Sequence, residues 1–190
     1  MQMDEGLDTG PILMSETCPV NPNETTATLH DKLADLGAKL LIESLNQLQQ
    51  LCAVAQPEQG VCYAHKIEKA ETWINWHQSA QTIERKSRAF TPTPGLQTHF
   101  NDETIKIWVV QALSNGGTPL ASSSAPGCVV GVGSEGIDVQ TVDGVIRILE
   151  LQRAGGKRMS CAAFIQGAGA LKLGARFGSG PPASMLASGS

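Results

Sequence analysis

The stretch LQTHFNDETIKIWVV, residues 96–110, decides how the chain is read. From Leu96 the apolar period changes to two, which places alternate side chains on opposite faces of a β-strand. "LQTHF" and "IKIWVV" are therefore read as short strands, with "NDE" as the turn between them. "CVVGVG", "GIDVQT" and "VIRILEL" continue the pattern. They are separated by a Ser/Gly/Pro-rich loop at 114–127, by "GSEG" and by "VDG". The glycines of the last two suit tight hairpin turns. Five or so short strands in succession predict a small antiparallel barrel or sandwich, with an OB-like barrel among the options.

Working upstream, "YAHKIEKAETWINWHQSAQTIERKSRAFTPTPG" holds an apolar patch at Trp73, Ile74 and Trp76. Ser79 then starts a helix whose Ala80, Ile83, Ser87 and Phe90 share a face, and Pro92 with Pro94 stops it. Before that, "AVAQPEQGVC" (53–62) lacks periodicity and reads as a linker. In "NETTATLHDKLADLGAKLLIESLNQLQQL" leucines recur every three to five residues, from Leu29 to Leu51. This predicts an amphipathic helix, whole or broken near Gly37, with Asn23 or Thr25 as its N-cap. Downstream of the strands, "LQRAGGKRMS" leads into a helix from about Ser160. The low-complexity "SGPPASMLASGS" (179–190) is expected to be disordered.

Composition bounds the function. The chain has 190 residues, 41% of them hydrophobic, enough for a core. No apolar run approaches the roughly 18 residues of a membrane helix, and no signal-peptide pattern is present, so a cytoplasmic location is expected. Five scattered cysteines without a CxxC pair argue for reduced thiols, and four isolated histidines give no metal spacing. Residues 1–60 carry nine acids against two bases, whereas 61–178 carry twelve bases against nine acids. Two units with different partners are implied. The mildly basic second half is compatible with a polyanion, although solvated lysines explain such a balance as well.

The opening "MQMDEGLDTGPI" sets Asp4, Glu5 and Asp8 beside Gly6 and Gly10. A calcium loop would need the EF-hand spacing, which is absent. An acidic surface turn is one remaining reading. The other is an active-site loop between a strand "MQM" and a strand "PILM", leaving the C-terminal end of a strand, where open α/β sheets hold ligands.

Four motifs together, "MQMDEGLDTGPIL", "YAHKI", "RAFTPTPG" and "LQRAGGKRMS", resemble those of the methionyl-tRNA formyltransferases, in that family's order and spacing. The likeness covers about residues 1–178 and implies a fold. It consists of an α/β remnant of a Rossmann-like formyltransferase domain (1–55), a linker (56–68), and a mostly β, OB-like antiparallel barrel with flanking helices (69–178). The tail, 179–190, lies beyond it. The resemblance is to the last portion of the family's enzymes.

Further expectations follow from the likeness alone. Asp8 matches the aspartate of a catalytic Asn–His–Asp trio, and the backbone at Met3, Asp4 and Glu5, with Asp8, would help bind 10-formyltetrahydrofolate as formyl donor. In that chemistry a methionyl amine attacks the formyl carbon, and the histidine and asparagine stabilise the oxyanion. The family's histidine lies in an HPSLLP-like loop; this sequence has no such loop, and no histidine precedes His30. The chain alone is thus expected to be inactive. Lys66, Lys69, Arg85, Lys86, Lys157 and Arg158 are the expected contacts to initiator methionyl-tRNA, while Arg88 is expected to tie helix to barrel. No metal and no membrane is involved, and a monomer is expected. The alternatives are a related formyltransferase acting on a nucleotide sugar or another amine, and a non-enzymatic RNA-binding module.

Overall fold

The computed structural model describes residues 1–113, 124–167 and 171–182. The chain divides into two compact units, Met1–Lys66 and Ile67–Ser190.

The first unit is built on α1, Thr26–Asn46. Thr25 is its N-cap: the Thr25 hydroxyl accepts the Thr28 N–H at 3.3 Å, and the Thr28 hydroxyl accepts the Thr25 N–H at 3.0 Å. This reciprocal box satisfies two donors that the first turn leaves unpaired. Glu24 accepts the Asn21 N–H at 2.7 Å and pairs with Lys32. The helix runs unbroken through Gly37, since a lone exposed glycine costs about 1 kcal/mol without removing a hydrogen bond. None of its residues is buried. The expected strands "MQM" and "PILM" do not form. Among the described residues of this unit the ladder is a single antiparallel pair, Ile12 with Val54, each N–H donating to the other's carbonyl at 2.8 and 2.9 Å. A strand needs a neighbour along its length, and these segments have one only at that point.

The second unit is a six-stranded antiparallel sheet with helices against it. Its strands are β1 (Leu96–Phe100), β2 (Glu103–Leu113), β3 (Val129–Gly133), β4 (Gly136–Gln140), β5 (Val145–Arg153) and β6 (Met159–Ser160). Hydrogen bonding follows the order β1-β2-β5-β4-β3, with β6 beside β5. Alternation puts Leu96, Thr98, Phe100, Ile105 and Ile107 into the core. A bulge around Val109 then adds one residue to β2, so the inward phase resumes at Val110 and Ala112. Asn101 and Asp102 both have positive φ, the backbone of a two-residue hairpin turn between β1 and β2.

Helix α2 (Ala80–Ala89) is capped by Ser79 and buries Ala80, Ile83 and Ser87. Asp143 Oδ1 accepts the Ala80 N–H at 3.1 Å, and Glu84 Oε1 accepts the Ala112 N–H at 3.0 Å, pinning the helix to the sheet. Helix α3 (Cys161–Gly167) buries Cys161 and Phe164. Trp76, wholly buried, donates its indole N–H to the Thr98 hydroxyl at 3.3 Å, and that hydroxyl donates to the Gly178 carbonyl at 2.9 Å. A buried polar chain thus links three distant segments, each group satisfied as burial requires.

The sheet is not closed by strand pairing, so the expected barrel appears as an α/β unit with an open antiparallel sheet. Edge strands β1 and β3 do not pair with each other. Residues 175–178 bridge the two sides: Gly178 N–H donates to the His99 carbonyl, Phe177 N–H to that of Gly127, and Val129 N–H to that of Ala175. The described residues reach 182, into the segment from 179 that is expected to be disordered. The Ser179 hydroxyl accepts the Trp76 N–H at 3.2 Å. Residues 183–190 and most of the 114–127 loop (114–123) lie outside the described residues.

Candidate functional site

The opening residues fold into a loop closed on itself, with the Gln2 N–H donating to the Pro11 carbonyl at 2.9 Å. Gly10 is required at its neck: a Cβ there would sit 1.8 Å from the Gln2 carbonyl oxygen. Inside the loop Asp4 Oδ1 accepts the Thr9 hydroxyl at 2.6 Å and the Gly6 N–H at 3.1 Å. Asp4 is therefore occupied in holding the loop. Asp8 is different. Its φ of 57° is left-handed, a conformation aspartate tolerates better than most residues, and its exposed carboxylate has no partner among the described residues.

Gln56 fixes this turn from 48 residues away. Its amide donates to the Asp8 carbonyl at 2.8 Å and to the Gly10 carbonyl at 2.7 Å. Sequence reading missed it, because Gln56 lies in an aperiodic segment read as linker. Met3, Asp4 and Glu5 are exposed, and their backbone groups make no hydrogen bonds among the described residues. Their backbone donors and acceptors are thus open among the described residues, while the Asp4 carboxylate is engaged within the loop.

The basic candidates of the second unit lie on three separate segments of the chain. Lys66 is exposed in the first unit. Lys69 opens a short 3₁₀ turn, Lys69–Thr72. Arg85 is exposed on α2 and donates weakly to Gln81 Oε1 at 3.3 Å. Lys86 is half-buried, with Nζ 3.4 Å from the Trp73 carbonyl and 5.6 Å from the centre of the Phe90 ring. Desolvation holds its pKa below the ordinary lysine range, against the opposing pull of Glu71. Arg88 is half-buried in the last turn of the same helix.

Lys157 and Arg158 follow the glycine turn after β5, yet of the two only Lys157 lacks a partner among the described residues. Arg158 pairs with Glu150 and lies 5.4 Å from the Trp108 ring centre. Trp108 projects outward beside the bulge and donates to Gln152 Oε1 at 3.0 Å, and Gln152 in turn donates to the Gly156 carbonyl at 2.7 Å. The turn carrying Lys157 is thereby tied to β2. Arg147 is bidentate with Asp138 at 2.7 and 2.9 Å and also meets Glu135 at 2.8 Å. The Asp138 hydrogen bonds raise its pKa further, so it stays charged and committed. Among the described residues no group of three or more potential metal ligands occurs.

Residues 66–169 match the formyl transferase C-terminal domain, more than half of the chain, and residues 1–45 match the formyl transferase family. The chain belongs to the formyl transferase family. Its relatives narrow the class. It is 46% identical over 169 residues to the methionyl-tRNA formyltransferase of Delftia acidovorans, covering 88% of this chain and 51% of that protein. With the methionyl-tRNA formyltransferase of Dechloromonas aromatica it shares 45% over 177 residues, 93% of this chain and 55% of that one. The chain spans about half the length of the curated relatives it matches. Among solved structures, a variant of HypX from Aquifex aeolicus superposes with a TM-score of 0.64 at 17% identity, over 90% of this chain and 30% of that one. HypX in complex with tetrahydrofolic acid gives 0.61 at 17%, over 85% and 28%. At such identity the likeness shows the fold alone.

Proposed function

We propose that this chain is part of a methionyl-tRNA formyltransferase, which moves a formyl group from 10-formyltetrahydrofolate to the amino group of methionyl initiator tRNA. The observation that carries the reading is the 40–46% identity to proteins of that name, with both formyl transferase matches in order along the chain. Asp8 is the catalytic carboxylate of the proposal, presented by a loop that Gln56 and Gly10 hold in shape. The backbone of Met3, Asp4 and Glu5 contributes to the folate site. The tetrahydrofolic acid of the HypX complex supports a folate as donor. The same reading makes the second unit an OB-like barrel bridged through residues 175–178, and the protein a cytoplasmic monomer.

The chain by itself binds tRNA without turnover in this reading, since it supplies Asp8 but not the trio's histidine loop. Of the six basic candidates, Lys86 and Arg158 are committed to contacts within their unit. Lys66, Lys69, Arg85 and Lys157 remain. Four phosphate contacts would give log K a slope near about −3.6 against log salt, at roughly 0.9 per contact on a duplex. A filter-binding titration across salt concentrations tests this. Lys157→Ala should reduce the slope by about 1, and Lys86→Ala should leave it unchanged. Absence of tRNA binding at low salt would sink the reading. A formylation assay with charged initiator tRNA and 10-formyltetrahydrofolate tests the catalytic half. Turnover that Asp8→Ala abolishes would overturn the claim of inactivity.

A further inference from the structure

A cleft of about 470 Å³ lies in the second unit, where the β1–β2 turn, the loop before β3 and the C-terminal segment meet. That volume falls within the range of about 300–1,000 Å³ typical of small-ligand sites. Its walls include His77, His99, Asp102, Arg176, Phe177 and Ser179, none of which the formyl-transfer reading uses. We propose that this cleft binds a phosphate group, with Arg176 supplying the fixed positive charge.

Each group is placed by the fold. The Arg176 backbone is bridged to Cys128, and the side chain pairs with no carboxylate among the described residues. By contrast Arg147, Arg153 and Arg158 each hold a carboxylate. A free guanidinium presents a planar fork of donors suited to phosphate oxygens. His99 Nδ1 lies 3.0 Å from the Gly180 carbonyl. A carbonyl can only accept, so Nδ1 carries the proton and Nε2 of the neutral ring is an acceptor, free to meet a hydroxyl proton of a phosphate. The Ser179 hydroxyl accepts the Trp76 N–H and keeps its own proton to donate. His77 enters from a third segment, its backbone N–H held by Asn75 Oδ1 at 3.0 Å. The donors at Arg176 and Ser179 suit the oxygens of a phosphate. Asp102 opposes the attraction and keeps the cleft from being a strongly basic patch.

The phosphate could come from an RNA backbone or from a small phosphorylated molecule. Preference for the RNA backbone rests on the proposed function; the phosphate site itself does not. Inorganic phosphate titrated into the full chain, followed by NMR of the imidazole carbons, should move the His77 and His99 signals. Arg176→Gln should weaken that response about tenfold, Arg176→Lys should restore part of it, and Lys172→Gln, on an exposed neighbour outside the cleft, should not matter. Imidazole signals unmoved by phosphate, or a response unchanged in Arg176→Gln, would overturn the proposal. In the tRNA arm, a tenfold loss with a salt slope smaller by about 1 assigns the phosphate to RNA. Unchanged tRNA affinity with the phosphate response lost keeps the site and assigns it to a small phosphate. If the chain binds phosphate but no tRNA, the cleft stands and the tRNA reading fails.

Discussion

Two helices in this chain bury the opposite of what their sequences suggest. Helix α1 has a leucine stripe along its 21 residues and buries none of them. Helix α2 has 10 residues, a largely polar sequence, and buries Ala80, Ile83 and Ser87 against the sheet. The difference teaches that an apolar stripe records what a helix can bury, not what it does bury. What holds α1 within its own unit is local: a capping box, the Glu24–Lys32 pair and its backbone ladder. Helix α2 is held through long-range contacts, Asp143 at one end and Glu84 on β2 along its length.

The contrast should be sharpest at Trp76. It is wholly buried, packs 6.0 Å from Phe177, and donates to Thr98. Trp76→Ala removes the largest side chain of the core and strands the Thr98 partner, so a loss of about 3–5 kcal/mol is expected. Hydrogen exchange should show the β1 and β5 amides losing protection while those of α1 keep theirs. Loss of protection in both units together would mean that they unfold as one.

Gly178 gives the next effect. A Cβ there would come within 1.9 Å of the His99 ring, which the Gly180 carbonyl holds in place. Gly178→Ala should therefore cost about 1–3 kcal/mol through overpacking, read as a lower urea midpoint for the second unit. The same substitution should disturb phosphate binding in the cleft. At Gly37, where nothing lies within 4 Å of the added carbon, Ala should instead stabilise α1 by up to about 1 kcal/mol.

The cysteines extend the comparison to pH. Cys52 and Cys62 are exposed in the first unit, while Cys161 is buried in the second with Sγ 2.9 Å from the Ile148 carbonyl. Burial is the main cause that pushes the Cys161 thiol up to about 12 from its ordinary 9.0, with Glu150 adding to it. In the unfolded chain the thiol ionises first, so between these values the unfolded state binds fewer protons. Stability then falls as pH rises through that window, by at most about 1.4 kcal/mol per pH unit. Cys161→Ala should remove this part of the alkaline loss, measured as the difference between the two pH profiles. Iodoacetamide should label Cys52 and Cys62 quickly and Cys161 only on unfolding.

The second unit was legible where its signals were local. Period-two alternation located β1 to β5, and Ser79 with the apolar face behind it located α2. The two-residue β6 carries too little pattern to be read. The open sheet was hidden because its edges are bridged by residues 175–178, whose sequence has no strand period. In the first unit the acidic loop was visible but its architecture was not: "MQM" and "PILM" have strand-like residues and lack neighbours. Gln56 was invisible for a related reason, since a side chain that fixes a distant turn leaves no periodic trace. The phosphate cleft gathers residues 77, 99, 102, 176 and 179, and no window of sequence contains them together.

The smallest expected effect is the most informative about α1. Leu41 is 61% exposed, beside Ile42 and Leu45 at similar values. Leu41→Gln removes little buried surface, and helix propensity scarcely changes between these residues, so the first unit's stability should shift by no more than about 0.5 kcal/mol. Ile83→Gln on α2 would instead place an amide in the core. The urea midpoint of far-UV circular dichroism reads the first quantity, and light scattering at rising concentration reads a second. Neighbouring exposed leucines form an apolar patch of the kind that promotes association, so the scattering should fall in Leu41→Gln while the midpoint stays. A loss above about 2 kcal/mol would correspond to a buried leucine. That result would mean the stripe is covered in solution, and sedimentation of the wild-type chain would show whether a second copy covers it.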